Sequence, residues 1–210
     1  MPFILHVCCA DCLLRYLVAS GYRLPASAQH LIRDYSSFPT APTLSWKPHL
    51  YFTNPNIYPT SEYRARLAAV QQVASLLDLP LTIADYQPQD YFSLPTSQQQ
   101  FSQSTPLTNR CRNCQLYRLQ QTLSFLHIKF PHLHTFSTTM LARQYLDHQQ
   151  IKHLGCQLAT SSTTTFLIPQ FLFSPAKLKT AGFFQQNYCG CFFSLADKTR
   201  AKYFHSPTVV

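Results

Sequence analysis

Glycine is scarce, at 4 of 210 residues. That excludes collagen-like repeats and glycine-rich linkers. Charged residues make up only 12%, about half the usual share. Hydrophobic residues reach 46% and aromatics 14%, so the chain is not of the disordered class, which is poor in aromatics and rich in charge. No run approaches the ~18 consecutive apolar residues of a membrane span. The start, Met1-Pro2-Phe3-Ile4-Leu5-His6, has no basic region and does not read as a signal peptide. G-x-x-x-x-G-K-[ST] and G-x-G-x-x-G are both missing, which removes ordinary phosphate-loop and dinucleotide readings. No G-x-S-x-G elbow exists either. Acid is the scarcest class of all, and Glu62 is the single glutamate.

What is present is base and sulfur. Seventeen Lys and Arg face eight Asp and Glu, a formal net charge of +9. Such an excess favours a polyanionic partner, and with no membrane signal the commonest is nucleic acid. At 24.1 kDa the chain supports one substantial domain. Residues 1–210 are therefore expected to form a single catalytic domain in a reducing, cytoplasmic compartment.

Short apolar runs alternate with helical patterns. Strands are expected at 2–7, 49–53, 81–84, 134–138 and 165–173. Helices are expected from Asp11 as cap to Gly21, from Thr60 or Ser61 to about Leu77, from Cys111 to about His127, and from Met140 to His153. Alternation at this spacing predicts an α/β fold, a parallel sheet with helices on both faces. Ligands in such folds sit at the carboxyl ends of the strands. Residues 24–48 hold four prolines without a sustained period, and read as an irregular surface insertion with a short helix near Ala28–Tyr35. Gln87–Pro106 reads as a Pro- and Gln-rich loop.

Seven of the eight cysteines fall in three groups: Cys8-Cys9-x-x-Cys12, Cys111-x-x-Cys114 and Cys189-Gly190-Cys191. In a reducing compartment, grouped cysteines bind metal or do redox chemistry more often than they staple a fold. The groups lie too far apart for one small zinc knuckle, so only a complete fold can bring them together. Adjacent strand residues point to opposite faces, so Cys8 and Cys9 serve one site only where the strand turns into the loop. The C-x-x-C pair, with Arg110 before it and Arg112 inside it, suits zinc, iron–sulfur or dithiol redox chemistry without choosing among them. Cys189 and Cys191 make either a strained, reducible disulfide loop or two metal ligands on a turn. Cys156 reads as an incidental thiol, and His6 as a core histidine.

Six blocks in order carry a resemblance. They are His6-Val7-Cys8-Cys9-Ala10; Tyr51-Phe52-Thr53-Asn54-Pro55-Asn56-Ile57-Tyr58-Pro59 with Glu62-Tyr63 and Arg66-Leu67; Ala84-Asp85-Tyr86; Arg110-Cys111-x-x-Cys114 with Arg118-Leu119; Ser137-Thr138-Thr139-Met140-Leu141; and Gln186 to Ser194 with its Tyr188-Cys189-Gly190-Cys191 core. Together they resemble the small, cobalamin-independent epoxyqueuosine reductases, the QueH family. The resemblance implies a Rossmann-like fold similar to the nucleotide alpha-hydrolase group. It implies removal of the epoxide oxygen of epoxyqueuosine at the wobble position of tRNA, the last step of queuosine synthesis. It also implies a [4Fe–4S] cluster with an additional mononuclear iron beside it.

Carried onto this chain, the resemblance makes Cys8, Cys9, Cys111 and Cys114 the cluster ligands and Cys189–Cys191 the redox-active disulfide. Asp11 and Cys12 are the candidates for the second metal. Arg64, Arg66, Arg118 and the Lys198–Lys202 tail are the candidate tRNA phosphate contacts, and an unidentified electron donor is required. The family usually has Pro where Asp11 stands and Tyr where Gln115 stands. Phe171-Leu172-Phe173-Ser174-Pro175 replaces an acidic motif. Two rivals stand beside this reading: a zinc-stabilised tRNA-binding module without redox activity, which would use the same C-x-x-C and basic charge, and a nucleotide alpha-hydrolase relative that adenylates or thiolates tRNA. The latter wants a Gly/Ser-rich loop where Cys8-Cys9-Ala10-Asp11-Cys12 stands.

Overall fold

The computed structural model describes residues 2–39, 47–93 and 107–196. Among these, five strands form one all-parallel sheet, in the order β3-β2-β1-β4-β5. The strands are β1 (Ile4–His6), β2 (His49–Phe52), β3 (Leu81–Ile83), β4 (Thr135–Thr138) and β5 (Thr165–Phe166). The helices are α1 (Ala10–Ala19), α2 (Thr60–Leu76), the short α3 (Pro88–Ser93), α4 (Leu107–Lys129) and α5 (His148–Thr160). Among the described residues, no helix is long and apolar enough to cross a membrane.

The period-two alternation of the strands sorts the core into two layers. Phe3, Leu5, Val7, Leu50 and Phe52 face α1 and α2. Ile4, Tyr51 and Phe136 face α4 and α5. The second layer is rich in rings: Tyr51 stacks on Phe125 with centroids 4.0 Å apart, and Phe136 meets Phe166 at 5.2 Å. Both faces of the sheet are covered, as a parallel sheet requires.

Local chemistry explains where elements end. Gly21, at φ 89°, closes α1: its N–H reaches Val18 O and the Tyr22 N–H reaches Leu17 O, a pair of bonds that satisfies the last carbonyls. The start of α1 differs from expectation, because Cys9 caps it and Asp11 lies inside the first turn. The expected helix from Met140 is two elements, a 3₁₀ turn at Thr139–Ala142 and then α5. Asp147 causes the break by accepting the Gln150 N–H at 3.0 Å as the cap of α5. The fifth strand is shorter than expected, ending three residues before Pro169. α4 begins before the C-x-x-C pair, so both cysteines lie within the helix.

The expected helix of the insertion is two 3₁₀ turns, Ala26–Leu31 and Tyr35–Ser37. This segment is tied down by 171–182. Ile32 bridges Thr180, the Ala181 N–H bonds Leu31 O, and Phe38 stacks on Phe173 at 4.9 Å.

Gly155 lies where α5 crosses β5, and a Cβ there would stand 2.4 Å from the Phe166 ring. Ala improves helix propensity by ~1 kcal/mol, but overpacking a buried ring costs ~1–3 kcal/mol. Gly155→Ala is therefore expected to lower stability by up to about 2 kcal/mol. A denaturant melt checks this, and a gain in stability would show that Phe166 yields freely.

Candidate active site

The strand order reverses direction between β1 and β4. Open α/β sheets bind ligands at the carboxyl ends beside such a switch point. Cys8 follows β1 there, and Thr139 follows β4. The Thr139 hydroxyl accepts the Cys8 N–H at 3.2 Å and lies 3.4 Å from Cys8 Sγ. Cys9 leaves the strand to cap α1, its sulfur accepting the Cys12 N–H at 3.3 Å. That turn brings two adjacent residues to one side, with Cys8 and Cys9 sulfurs 3.9 Å apart. Cys12 completes a buried triad whose sulfurs all lie within 4.8 Å of one another. Gln186 donates to Cys9 Sγ from across the crevice at 2.8 Å.

Cys111 and Cys114 stand at i and i+3 on α4, and so share one helix face. That face forms a wall of a cavity of about 230 Å³, which Cys8, Cys189 and Cys191 also line. The fold thus collects all three cysteine groups at one crevice. The wall is cationic: Arg110, Arg118 and Arg143 line it, and no carboxylate does among the described lining residues. Tyr91, Phe92, Met140 and Phe193 supply an apolar surround. Tyr145 stands at the edge, 85% exposed.

The C-G-C loop is held from beneath. Arg66, buried and paired with Glu62 at 2.8 Å, donates to Cys189 O at 2.9 Å and Tyr188 O at 3.0 Å. Arg143 adds a bond to Tyr188 O at 3.2 Å. The Tyr58 N–H bonds Gly190 O at 2.7 Å, and Ile57 bridges Cys191. Gly190 is required twice over. Its φ is 108°, and a Cβ would lie 2.8 Å from the Arg66 guanidinium. All eight cysteines are free, and the Cys189 and Cys191 sulfurs lie 3.4 Å apart.

The remaining expected residues divide. Cys12 joins Cys8 and Cys9, whereas the Asp11 carboxylate is occupied elsewhere, accepting from Arg15 at 2.7 Å and Thr180 at 2.6 Å. Arg64 is exposed on α2. Arg66 is buried under the C-G-C loop, which removes it from the surface where a phosphate would meet it. Arg118 is buried against the cavity and donates to Cys114 O at 3.3 Å. The Lys198–Lys202 tail lies outside the described residues. His6 is a core histidine: Nε2 donates to Thr53 O at 3.2 Å, so Nδ1 accepts from Thr138 at 2.8 Å. Burial pushes it down to about 4, with Arg118 nearby, and it stays neutral. Cys156 is exposed on α5 and does not line the cavity.

Sequence reasoning did not single out Asn56, Thr139 or Gln186, although each lay inside a quoted block. Arg143 and Tyr145 carried no such signal.

The thiols divide by protonation. Hydrogen bonds from Cys12 and Cys9 pull Cys8 down, and Arg143 adds its charge. Burial pushes Cys9 up to about 12, and the bond to Cys8 raises Cys12. In the loop, the hydrogen bond from Cys191 lowers Cys189 to about 5 and keeps the proton on Cys191. Cys189 is thus a thiolate above that value and loses reactivity as pH falls through it. Its alkylation should remain fast from about pH 5 upward, while Cys191 reacts slowly. A mass-resolved alkylation series across pH checks this, and equal titration of both thiols near the ordinary cysteine range contradicts it.

The description "Epoxyqueuosine reductase QueH" belongs to the family model that matches residues 38–197. That span takes in the C-x-x-C helix and the C-G-C loop. An epoxyqueuosine reductase QueH of Thermotoga maritima is 28% identical over 201 residues, covering 93% of this chain and 91% of that protein. One of Haemophilus influenzae is 24% identical over 210 residues, covering 94% and 73%. One of Acinetobacter baylyi is 23% identical over 213 residues, covering 94% and 82%. The family match therefore runs through the elements that wall the crevice, and the chain belongs to the epoxyqueuosine reductase QueH family of oxidoreductases.

Proposed function

We propose that this chain reduces the epoxide of epoxyqueuosine in tRNA to the alkene of queuosine. One observation carries the reading: three cysteine groups, distant in sequence, meet at one cationic cavity at the sheet's switch point. Removing an epoxide oxygen as water takes two electrons and two protons. The Cys189–Cys191 pair supplies the two electrons and one proton on closing to a disulfide, and solvent supplies the second proton, so the step balances with that pair as reductant. An electron donor of the thiol or one-electron type must then reopen the disulfide.

Cys8, Cys9, Cys111 and Cys114 are the proposed holders of a [4Fe–4S] cluster. The donor set fits, since iron–sulfur clusters are held by thiolates, and Cys8 shares the cavity with both helix cysteines. When bound, such a cluster passes electrons singly. Cys12, buried beside Cys8 and Cys9, is the proposed donor to an additional iron; Asp11 is less suited because Arg15 and Thr180 already hold its carboxylate.

The +9 charge supports a tRNA partner. Arg64 and the cavity arginines supply cations, and the exposed Tyr145 ring offers a stacking surface for a neighbouring base.

Anaerobic purification tests the cofactor. The protein should be brown, with iron and sulfide in cluster ratio. Cys111→Ala and Cys114→Ala should each lose the colour and the activity while remaining folded. A colourless protein with stoichiometric zinc would instead favour a tRNA-binding module without redox activity. Cys189→Ser should keep its iron and lose turnover; loss of the cluster in that variant makes Cys189 a ligand and overturns the assignment.

Association with tRNA should weaken steeply with salt, since each neutralised phosphate releases condensed counterions. A binding constant that stays flat from low to high salt defeats the electrostatic part of the reading.

A further inference from the structure

Asn56 is buried, 2% exposed, and its Oδ1 has no hydrogen-bond partner. A buried acceptor left unpaired is costly, so a native structure that keeps one demands a reason. Asn54, two residues earlier, also has an unpaired Oδ1. Its amide nitrogen, however, donates to Val7 O at 2.9 Å and ties the turn after β2 to β1. Asn54 has a structural task, and it does not line the cavity. Asn56 does line it, with Cys8, Cys111 and Cys191.

The position of Asn56 is set by the same contacts that hold the C-G-C loop. Ile57 bridges Cys191, and the Tyr58 N–H bonds Gly190 O at 2.7 Å. The residue is thus one step along the chain from the segment paired with the reactive loop. Whatever Asn56 binds lies close to the thiols. A second polar atom in the same cavity is also unpaired. Arg110 Nε is buried without an acceptor, while its guanidinium lies 4.7 Å above the Phe193 ring. Among the described residues the cavity therefore offers one unpaired buried acceptor and one unpaired buried donor, which suits a ligand carrying a hydroxyl or N–H beside an acceptor oxygen or nitrogen.

We propose that Asn56 is a substrate-positioning residue, whose Oδ1 accepts a hydrogen bond from a hydroxyl or N–H of the modified nucleoside next to the group being reduced. The proposal rests on the reading of function given above. A site built to bond a polar group loses much of its affinity when that bond is removed, because the partner is left buried and unpaired. In the free protein the same acceptor contributes nothing to stability, so its removal should not destabilise the fold.

The test uses the anaerobically purified chain and tRNA carrying epoxyqueuosine, with Asn56→Leu and Asn56→Asp. Leu matches the volume without the acceptor, and Asp keeps an acceptor oxygen. Asn56→Leu should lower kcat/KM by about tenfold to a hundredfold, mostly through KM, with iron content unchanged and Tm equal or higher. Asn56→Asp should stay within about fivefold of wild type. Unchanged kcat/KM in Asn56→Leu overturns the proposal. So does a fall in Tm or a loss of folding in that variant, which makes Asn56 structural. A wild-type chain that neither binds nor reduces this tRNA overturns the function reading itself, and this inference with it.

Discussion

One buried guanidinium sets the geometry on which the site depends. Arg66 reaches from α2 to the carbonyls of Tyr188 and Cys189, and its charge is met by Glu62 one helical turn earlier. Glu62 is the single glutamate of the chain. A buried pair of this kind is weak support for stability but costly to break, by ~3–5 kcal/mol when one partner is removed. Its value here is placement. Without it the C-G-C loop keeps its backbone contacts to Tyr58 and Ile57 and the bond from Arg143 to Tyr188 O. Gly190 completes the fit, since any side chain would collide with the guanidinium.

A second constraint acts at the other side of the crevice. A strand cannot present adjacent residues to one ligand, and the fold resolves this by ending β1 at His6 and capping α1 with Cys9. The cap also explains the triad. The Cys9 sulfur takes the Cys12 N–H, which draws the first turn of α1 against the strand end. α1 otherwise packs into the opposite core layer, so Cys12 is the member of that helix turned toward the site. α4 then supplies Cys111 and Cys114 from one face and Arg118 a turn later. Three arginines beside five thiols lower the cost of thiolate, the form that binds metal or attacks.

Much of this was legible beforehand, for definite reasons. The alternation of apolar runs with helical patterns gave the parallel sheet, because a strand buried on both faces leaves an apolar run and a crossover helix leaves a 3.6-residue period. The cysteine groups announced a site because their spacing has few other uses. Arg66 was misjudged as a surface cation: its burial depends on a loop more than a hundred residues away, and no local pattern encodes that. Asp11 looked like a cap from its residue type, but the cap position went to Cys9, whose sulfur does the same work. Met140 to His153 read as one helix since its apolar period continues past Asp147, and only the side-chain bond to Gln150 shows the break. Asn56 sat in a quoted block, yet an unpaired acceptor is visible only once its surroundings are known.

The proton distribution in the loop also bears on the proposed reduction. Reducing an epoxide requires a proton at the departing oxygen as well as electrons. A pair of equal thiols would be either doubly protonated, hence weak in nucleophilicity, or doubly ionised, hence without a proton to give. The hydrogen bond from Cys191 to Cys189 divides the roles, lowering one thiol to about 5 and holding the proton on the other. At neutral pH the pair is a monoanion that carries one proton, and the second must come from solvent. The asymmetry depends on geometry, because the two sulfurs stay 3.4 Å apart while Arg66 and Gly190 keep the loop in shape. The clamp beneath the loop therefore governs the charge on the thiols as well as their position.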